Sequence, residues 1–184
     1  MPEILDEIIE NLETESGFLI HVNSDELDRE IIDILNFFTN KKKLSCVYIS
    51  TNRAYKTLKM NFEKKGINTK NIFFIDVIEA EPKEKIENVL FTLGSSNLIE
   101  MGDEVKQIIR LTKNQGFVFV DSLEGLFIDN KQNDVSKFLR SIIVEATNCN
   151  SEILVIHSGG IDEKLIKNIT PFFDKVINAE KNTK

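Results

Sequence analysis

Seven short apolar runs, separated by stretches of helical periodicity, constrain this chain more than any other feature of it. The runs are Phe18–Val22, Ser45–Ser50, Ile72–Ile75, Val89–Leu93, Phe117–Val120, Ile153–His157 and Lys175–Asn178. Several are nearly continuous strings of β-branched and aromatic residues. Such strings suit parallel strands that are covered on both faces, where an alternating pattern would suit a half-exposed sheet. Helical patterns fill the gaps at Asp25–Asn40, Arg53–Lys65, Ile99–Asn114, Val135–Cys149 and Glu163–Phe173. This βαβ rhythm predicts a three-layer α/β/α domain with a mostly parallel sheet, spanning residues 16–180.

At 184 residues the chain has the size of one domain with a sizeable core. A separate helix is expected within residues 1–15, where Ile4, Leu5, Ile8, Ile9 and Leu12 form one apolar stripe among carboxylates. It either packs on its own domain or serves as a docking or oligomer helix. Residues 181–184 read as a frayed tail. The net charge of −7 argues against nucleic-acid and anionic-membrane partners, which need a basic footprint. No apolar run approaches the ~20 residues of a membrane span. The start of the chain lacks the charged and apolar parts of a signal peptide, so a cytoplasmic location is expected. Cys46 and Cys149 have no metal-type spacing and read as free thiols.

The loop after the first run is Asn23-Ser24-Asp25-Glu26-Leu27-Asp28-Arg29-Glu30. A mononucleotide-binding fold places a glycine-rich phosphate loop here, yet the segment has no glycine, no lysine and four carboxylates. Ser24 or Asp25 would make an ordinary N-cap, and carboxylates in a first helical turn oppose its positive end. Further on, Phe117-Val118-Phe119-Val120 runs into Asp121-Ser122, the Walker B pattern in which the Asp holds Mg²⁺ through water.

Those two features sit in a longer likeness. Ser45 to Ile78, Ser95–Glu100, Phe117–Leu126 and Pro171–Ile177 resemble, in order and spacing, segments of the KaiC-like branch of RecA-type ATPases. The likeness extends from Ser16 onward and points to small archaeal members of that group. It implies a RecA/KaiC-like P-loop NTPase fold, and the departures from the family pattern imply a P-loop that does not function. Asn23 and Asp28 fall at the glycines of Gly-x-x-x-x-Gly-Lys-Thr, Arg29 at the lysine and Glu30 at the threonine. The glycines let backbone N–H groups wrap phosphate, the lysine reaches the β/γ-phosphates, and the hydroxyl binds Mg²⁺. Across Asp25, Glu26, Asp28, Arg29 and Glu30 the formal charge is −3. A carboxylate ~4 Å from a phosphate repels it by several kcal/mol at an effective dielectric near 20. In KaiC-like proteins the second strand ends in paired glutamates, one of which activates water. Here Asn52-Arg53 follows, and neither side chain is a general base.

The resemblance therefore implies a pseudoenzyme with no catalytic residues and no cofactor. Its role would be regulatory or scaffolding, with a protein partner: a RecA-like ATPase, a signalling protein or another copy of itself. The alternative is a nucleotide or small-ligand binder, taking ATP and Mg²⁺ or another molecule in a remodelled crevice. Its residues would be Arg29, Asn52, Arg53, Asp121, Ser122, His157 and Ser158. Other constellations are weaker. His21 and His157 both end strands and could meet in a zinc or acid–base role. Asp76 with Asp121 suggests a receiver domain, but the acidic pair and the lysine that receivers need are missing. Asp121-Ser122 with His157 suggests a hydrolase triad, but no Gly-x-Ser-x-Gly elbow exists.

Overall fold

A computed structural model describes residues 4–78, 86–92, 98–112, 115–128 and 130–179. Its seven strands are β1 Gly17–His21, β2 Ser45–Ser50, β3 Ile72–Asp76, β4 Val89–Phe91, β5 Gly116–Asp121, β6 Glu152–His157 and β7 Lys175–Asn178. They form one sheet in the order β4-β3-β2-β5-β6-β1-β7, and every neighbouring pair is parallel. The expected sheet is thus present and wholly parallel. The helices are α1 Ile4–Asn11, α2 Leu27–Leu35, α3 Tyr55–Lys64, α4 Leu98–Thr112, α5 Leu123–Ile128, α6 Gln132–Asn148 and α7 Glu163–Ile169.

Handedness assigns the layers. Parallel crossovers are right-handed, so connections that step one way along the sheet put their helices on one face. β1→β2 and β2→β3 step toward the β4 edge, and their helices α2 and α3 share a face with α1. β4→β5, β5→β6 and β6→β7 step the other way, and α4, α5, α6 and α7 cover the opposite face. Successive strand residues point to opposite faces. Phe18, Ile20, Tyr48, Phe74, Phe117 and Phe119 therefore pack under α1–α3. Leu19, Val47, Ile49, Ile75, Val118 and Val120 pack under α4–α7. This two-sided burial is why the strands read as continuous apolar runs.

Several boundaries differ from the sequence expectation, each for a local reason. The helix expected over Asp25–Asn40 is α-helical only to Leu35 and continues as a π-helix over Asn36–Lys41. Lys42 N–H donates to Phe37 O across the widened turn, and Thr39 Oγ1 donates back to Leu35 O at 2.7 Å. Neither Ser24 nor Asp25 caps α2. Residues 24–26 form a turn, Glu26 holds the N-cap place with no side-chain cap bond, and Glu26 N–H donates to Asn23 O. Arg53 lies in the loop before α3 rather than on the helix. β4 ends at Phe91 rather than Leu93, and residue 93, like residues 113–114 at the expected end of α4, lies outside the described set. The last expected helix breaks at Ile169 into a 3₁₀ turn, Thr170–Phe172, where Pro171 cannot continue an α-helix. α5 was not expected: its six residues are too few for a helical period to show. Residues 1–3 of the first expected helix lie outside the described set; within it α1 ends at Asn11 rather than Glu15, and it buries Ile4 and Ile8 on its own domain while Ile9 is exposed.

Candidate functional site

Open α/β sheets bind ligands beyond the C-terminal strand ends, where adjacent strands send their chains to opposite faces. Among the described connections this topology has two such places. β2 leads to α3 on one face while its neighbour β5 leads to α5 on the other. β1 leads to α2 while its neighbour β6 leads to α7. The sequence-predicted residues divide between these two crevices.

At the β2/β5 crevice Asp121 is 1 % exposed, and its Oδ2 holds two partners. Tyr48 Oη donates to Asp121 Oδ2 at 2.5 Å, and Arg53 Nη2 lies 2.8 Å from the same oxygen. The register explains the reach: Tyr48 stands beside Phe119, and Asp121 is two residues further along the same face. Arg53 Nη1 pairs with Asp28 Oδ1 in the first turn of α2 at 2.5 Å. Burial alone would lower the Arg53 pKa, but the charge of Asp121 and the hydrogen bond to it outweigh that, so the guanidinium stays charged. Burial, then the Asp121 charge, push the Tyr48 phenol well above its ordinary range. Around this centre Asn52 Nδ2 donates to Ser122 Oγ at 2.7 Å, and Thr51 Oγ1 donates to Ser122 O at 2.7 Å. Ser50 Oγ donates to Arg53 O, folding the loop so that the guanidinium points at Asp121. Gly125 lies against this loop with no room for a Cβ, which would run into Thr51 and Asn52.

The residues that the sequence resemblance aligns with a phosphate loop are likewise paired among themselves. Arg29, at the lysine position, contacts Glu26 Oε1 at 3.1 Å and Glu30 Oε1 at 2.8 Å. Glu30, at the threonine position, is 4 % exposed, and burial raises its pKa against the lowering effect of Arg29. Asn23 Nδ2 donates to Glu26 Oε2 at 3.0 Å. Asp28, at the second glycine position, is the residue that reaches Arg53.

At the β6/β1 crevice His21 and His157 are register partners, and their rings stack with centroids 4.6 Å apart. His21 Nδ1 lies 3.2 Å from Asn178 Oδ1. His157 Nδ1 is buried with no hydrogen-bond partner. Burial and the neighbouring His21 push the His157 pKa down from 6.5 to about 4, with Glu124 acting the other way. Ser158 N–H donates to Glu124 Oε1 at 2.5 Å, while Glu124 Oε2 is buried without a partner. The strand ends thus bring Asn52, Arg53, Asp121 and Ser122 into one hydrogen-bonded group. They put His157 and Ser158 into a second group, and Arg29 sides with Glu26 and Glu30 in a third.

Tyr48, Thr51, Glu124 and Asp76 were missed as partners. Tyr48 could have been found, since a buried phenol needs a partner for its hydroxyl. Asp76, weighed only as a phosphoacceptor, has structural work: Oδ2 accepts from Tyr55 N–H at the start of α3, and Oδ1 accepts from Ile78 N–H, each at 2.7 Å. No group of three or more His, Cys, Asp or Glu side chains is placed to hold a metal ion among the described residues. Cys46 is buried and Cys149 half-buried, and both are free thiols. Among the described residues no helix is long and apolar enough to cross a membrane.

Fold and site define a seven-stranded, three-layer α/β/α protein of Rossmann-like or RecA-like type, whose strand-end charges are largely paired among themselves. No protein-family model matches the chain, and neither does any curated protein. Among solved structures it is similar to the uncharacterized protein PH0321 from Pyrococcus horikoshii, which was crystallised in complex with an unknown peptide. The TM-score is 0.64 at 13% identity, over 92% of this chain and 82% of that one. At that identity the likeness concerns the fold alone.

Proposed function

We propose that this chain is a RecA/KaiC-like domain without ATPase activity that works as a regulatory or scaffolding protein-interaction module. The observation that carries the reading is the Arg53–Asp121 pair. A Walker B carboxylate serves hydrolysis by holding Mg²⁺. Here an arginine of the chain supplies the positive charge at that carboxylate, and it stands where a water-activating glutamate would. The Arg29–Glu30 pair supports the same reading, because the lysine and hydroxyl positions of the phosphate loop neutralise each other. The unknown peptide bound to PH0321 makes a polypeptide a reasonable class of partner to test.

A thermal-shift titration tests the reading. A ligand at ~100 times its Kd stabilises by about 2.7 kcal/mol. For a domain of this size that is a rise of roughly 5 to 10 °C. Mg-ATP and Mg-ADP are expected to leave Tm unchanged, and a rise of that order would overturn the reading. The second reading, a small ligand in the crevice, draws on the unpartnered His157 Nδ1 and Glu124 Oε2. A rise with any nucleotide or nucleoside would favour it.

A further inference from the structure

Residues 158–161, between β6 and α7, are held at one point. They have no regular structure, and Gly159 and Gly160 carry the chain through φ +105° and +80°. Glycine takes such angles without strain. The turn brings the chain back over the end of β1. A Cβ added at Gly159 would lie 4.0 Å from His21 Nε2, and Ile161 packs against the core under α4–α7. Among the described residues the backbone of this strap makes one hydrogen bond to the rest of the protein, from Ser158 N–H to Glu124 Oε1 at 2.5 Å. A segment tied so sparsely opens more readily than the paired strands beside it.

The closed strap seals two polar atoms that nothing satisfies. His157 Nδ1 and Glu124 Oε2 are both buried without a hydrogen bond. His21 does not help: its ring stacks on His157, and its Nδ1 is turned to Asn178 Oδ1 at 3.2 Å. A buried polar atom without a partner is costly, and lifting the strap hydrates both. The Ser158–Glu124 bond and the packing of Ile161 therefore hold the strap down against two stranded atoms.

Few charged groups face His157. β1 brings His21, α5 brings Glu124 and β7 brings the neutral Asn178. Asp121 at the end of β5 belongs to the opposite face, where Tyr48 and Arg53 hold it. Asp162, Glu163 and Lys164 at the start of α7 are exposed. Burial and His21 outweigh Glu124, so under the strap the ring stays neutral down to about pH 4.

We propose that residues 158–161 are a proton-gated strap over the β6/β1 crevice, closed while His157 is neutral and released when its ring takes a proton. Under the closed strap a charged ring would lie between a second imidazole and the core, with its Nδ1–H unpaired. Once the strap lifts, water reaches the ring, and Glu124, freed from Ser158, supplies a countercharge. Proton uptake and opening are thereby linked, and each promotes the other. Opening uncovers the strand ends at which open α/β sheets take ligands. The device goes beyond the non-ATPase reading and does not depend on it.

The Ser158 amide reports on the strap, because its hydrogen exchanges with solvent only when the bond to Glu124 breaks. Native-state exchange is measured on the ¹⁵N-labelled protein at pH 7 and pH 5 and corrected for the intrinsic rate at each pH. The opening constant at Ser158 is expected to rise about twentyfold from pH 7 to pH 5, the factor for a proton bound near 6.5 when open and about 4 when closed. In His157→Asn it should stay flat. Glu124→Ala cuts the tie and leaves the ring in place, so it carries the test should His157→Asn fail to fold. It should speed Ser158 exchange at pH 7 and keep the rise on acidification. Dilute urea separates the strap from global unfolding. It should accelerate Val118, in the middle of β5, and leave Ser158 almost unchanged, since lifting the strap exposes little surface. Ser158 exchange that ignores pH, or that rises undiminished in His157→Asn, would overturn the proposal. So would Ser158 protection that survives Glu124→Ala, or Ser158 and Val118 exchanging in step as urea is added.

Discussion

One guanidinium joins the loop after β2 to the end of β5 and to the first turn of α2: Arg53 Nη2 stands 2.8 Å from Asp121 Oδ2, and Nη1 stands 2.5 Å from Asp28 Oδ1. The Asp121 side chain is 2% exposed and that of Arg53 26%, so this contact is a buried ion pair, while Asp28 at 80% is a surface partner. Removing one member of a buried pair strands the other charge and costs about 3 kcal/mol or more. An exposed pair contributes about 1 kcal/mol at most.

Arg53→Met and Asp121→Asn should therefore each lower stability by about 3 kcal/mol. In a chain of this length that is a Tm loss of roughly 6 to 12 °C. The double variant should cost at least about 1 kcal/mol less than the sum, because neither charge is then left alone. Asp28→Asn should fall within about 1 kcal/mol of the parent. Denaturant unfolding of the four variants checks the set. Strict additivity would show that Arg53 and Asp121 do not act as a pair.

On the proposed reading, Arg29→Lys restores the residue type of a phosphate loop at its lysine position. It should create no Mg-dependent ATP hydrolysis. The wrap glycines stay replaced by Asn23 and Asp28, Glu30 stays buried where a hydroxyl is needed, and Arg53 keeps Asp121. A phosphate-release assay at millimolar Mg-ATP decides it. Measurable turnover in this single variant would show that the loop has been misread.

The layers of the fold were legible because burial on both faces writes itself into strands such as Phe117–Val120 and Ile153–His157 as unbroken apolar text. The strand order was not, because a crossover leaves no periodic trace of how many strands it passes over. The site was half legible. The residues at strand ends could be named, but which of them meet depends on that order. Asn52, Arg53, Asp121 and Ser122 fall together since β2 and β5 are neighbours, while His157 follows β6 to join His21. The α2 cap was not legible because residues 24–26 turn before the helix starts, which moves the N-cap place past Ser24 and Asp25 to Glu26.

Gly125 was unremarkable in the sequence, yet it marks how closely α5 meets the loop after β2. An added methyl would run into the Thr51 side chain, whose Oγ1 also accepts from Ser122 N–H at 2.9 Å. Gly125→Ala is expected to cost about 1 to 3 kcal/mol through overpacking, despite alanine's better helix propensity. Gly66→Asn provides the contrast. Gly66 has φ +78° and open space around it, and asparagine tolerates that conformation, so a loss below about 1 kcal/mol is expected. Thermal unfolding of both variants checks the difference, and equal losses would remove the close approach as the cause.

The His21–His157 stack should make stability fall on mild acidification. His157 stays neutral in the fold down to about pH 4, whereas the unfolded chain takes up its proton near pH 6.5. Between those values the unfolded state binds more protons, so stability rises with pH across the window and is lost as pH falls through it. The upper limit is about 3 kcal/mol for a depression of this size. His157→Asn removes the titrating ring, so the difference in unfolding free energy between variant and parent should shrink as pH is lowered from 7 to 5. Carboxylates that titrate below that range are common to both proteins and cancel in the comparison. A difference that stays constant from pH 7 to 5 would mean that His157 takes its proton in the fold as readily as in the open chain. The unpartnered Nδ1 would then have found a donor or acceptor of its own.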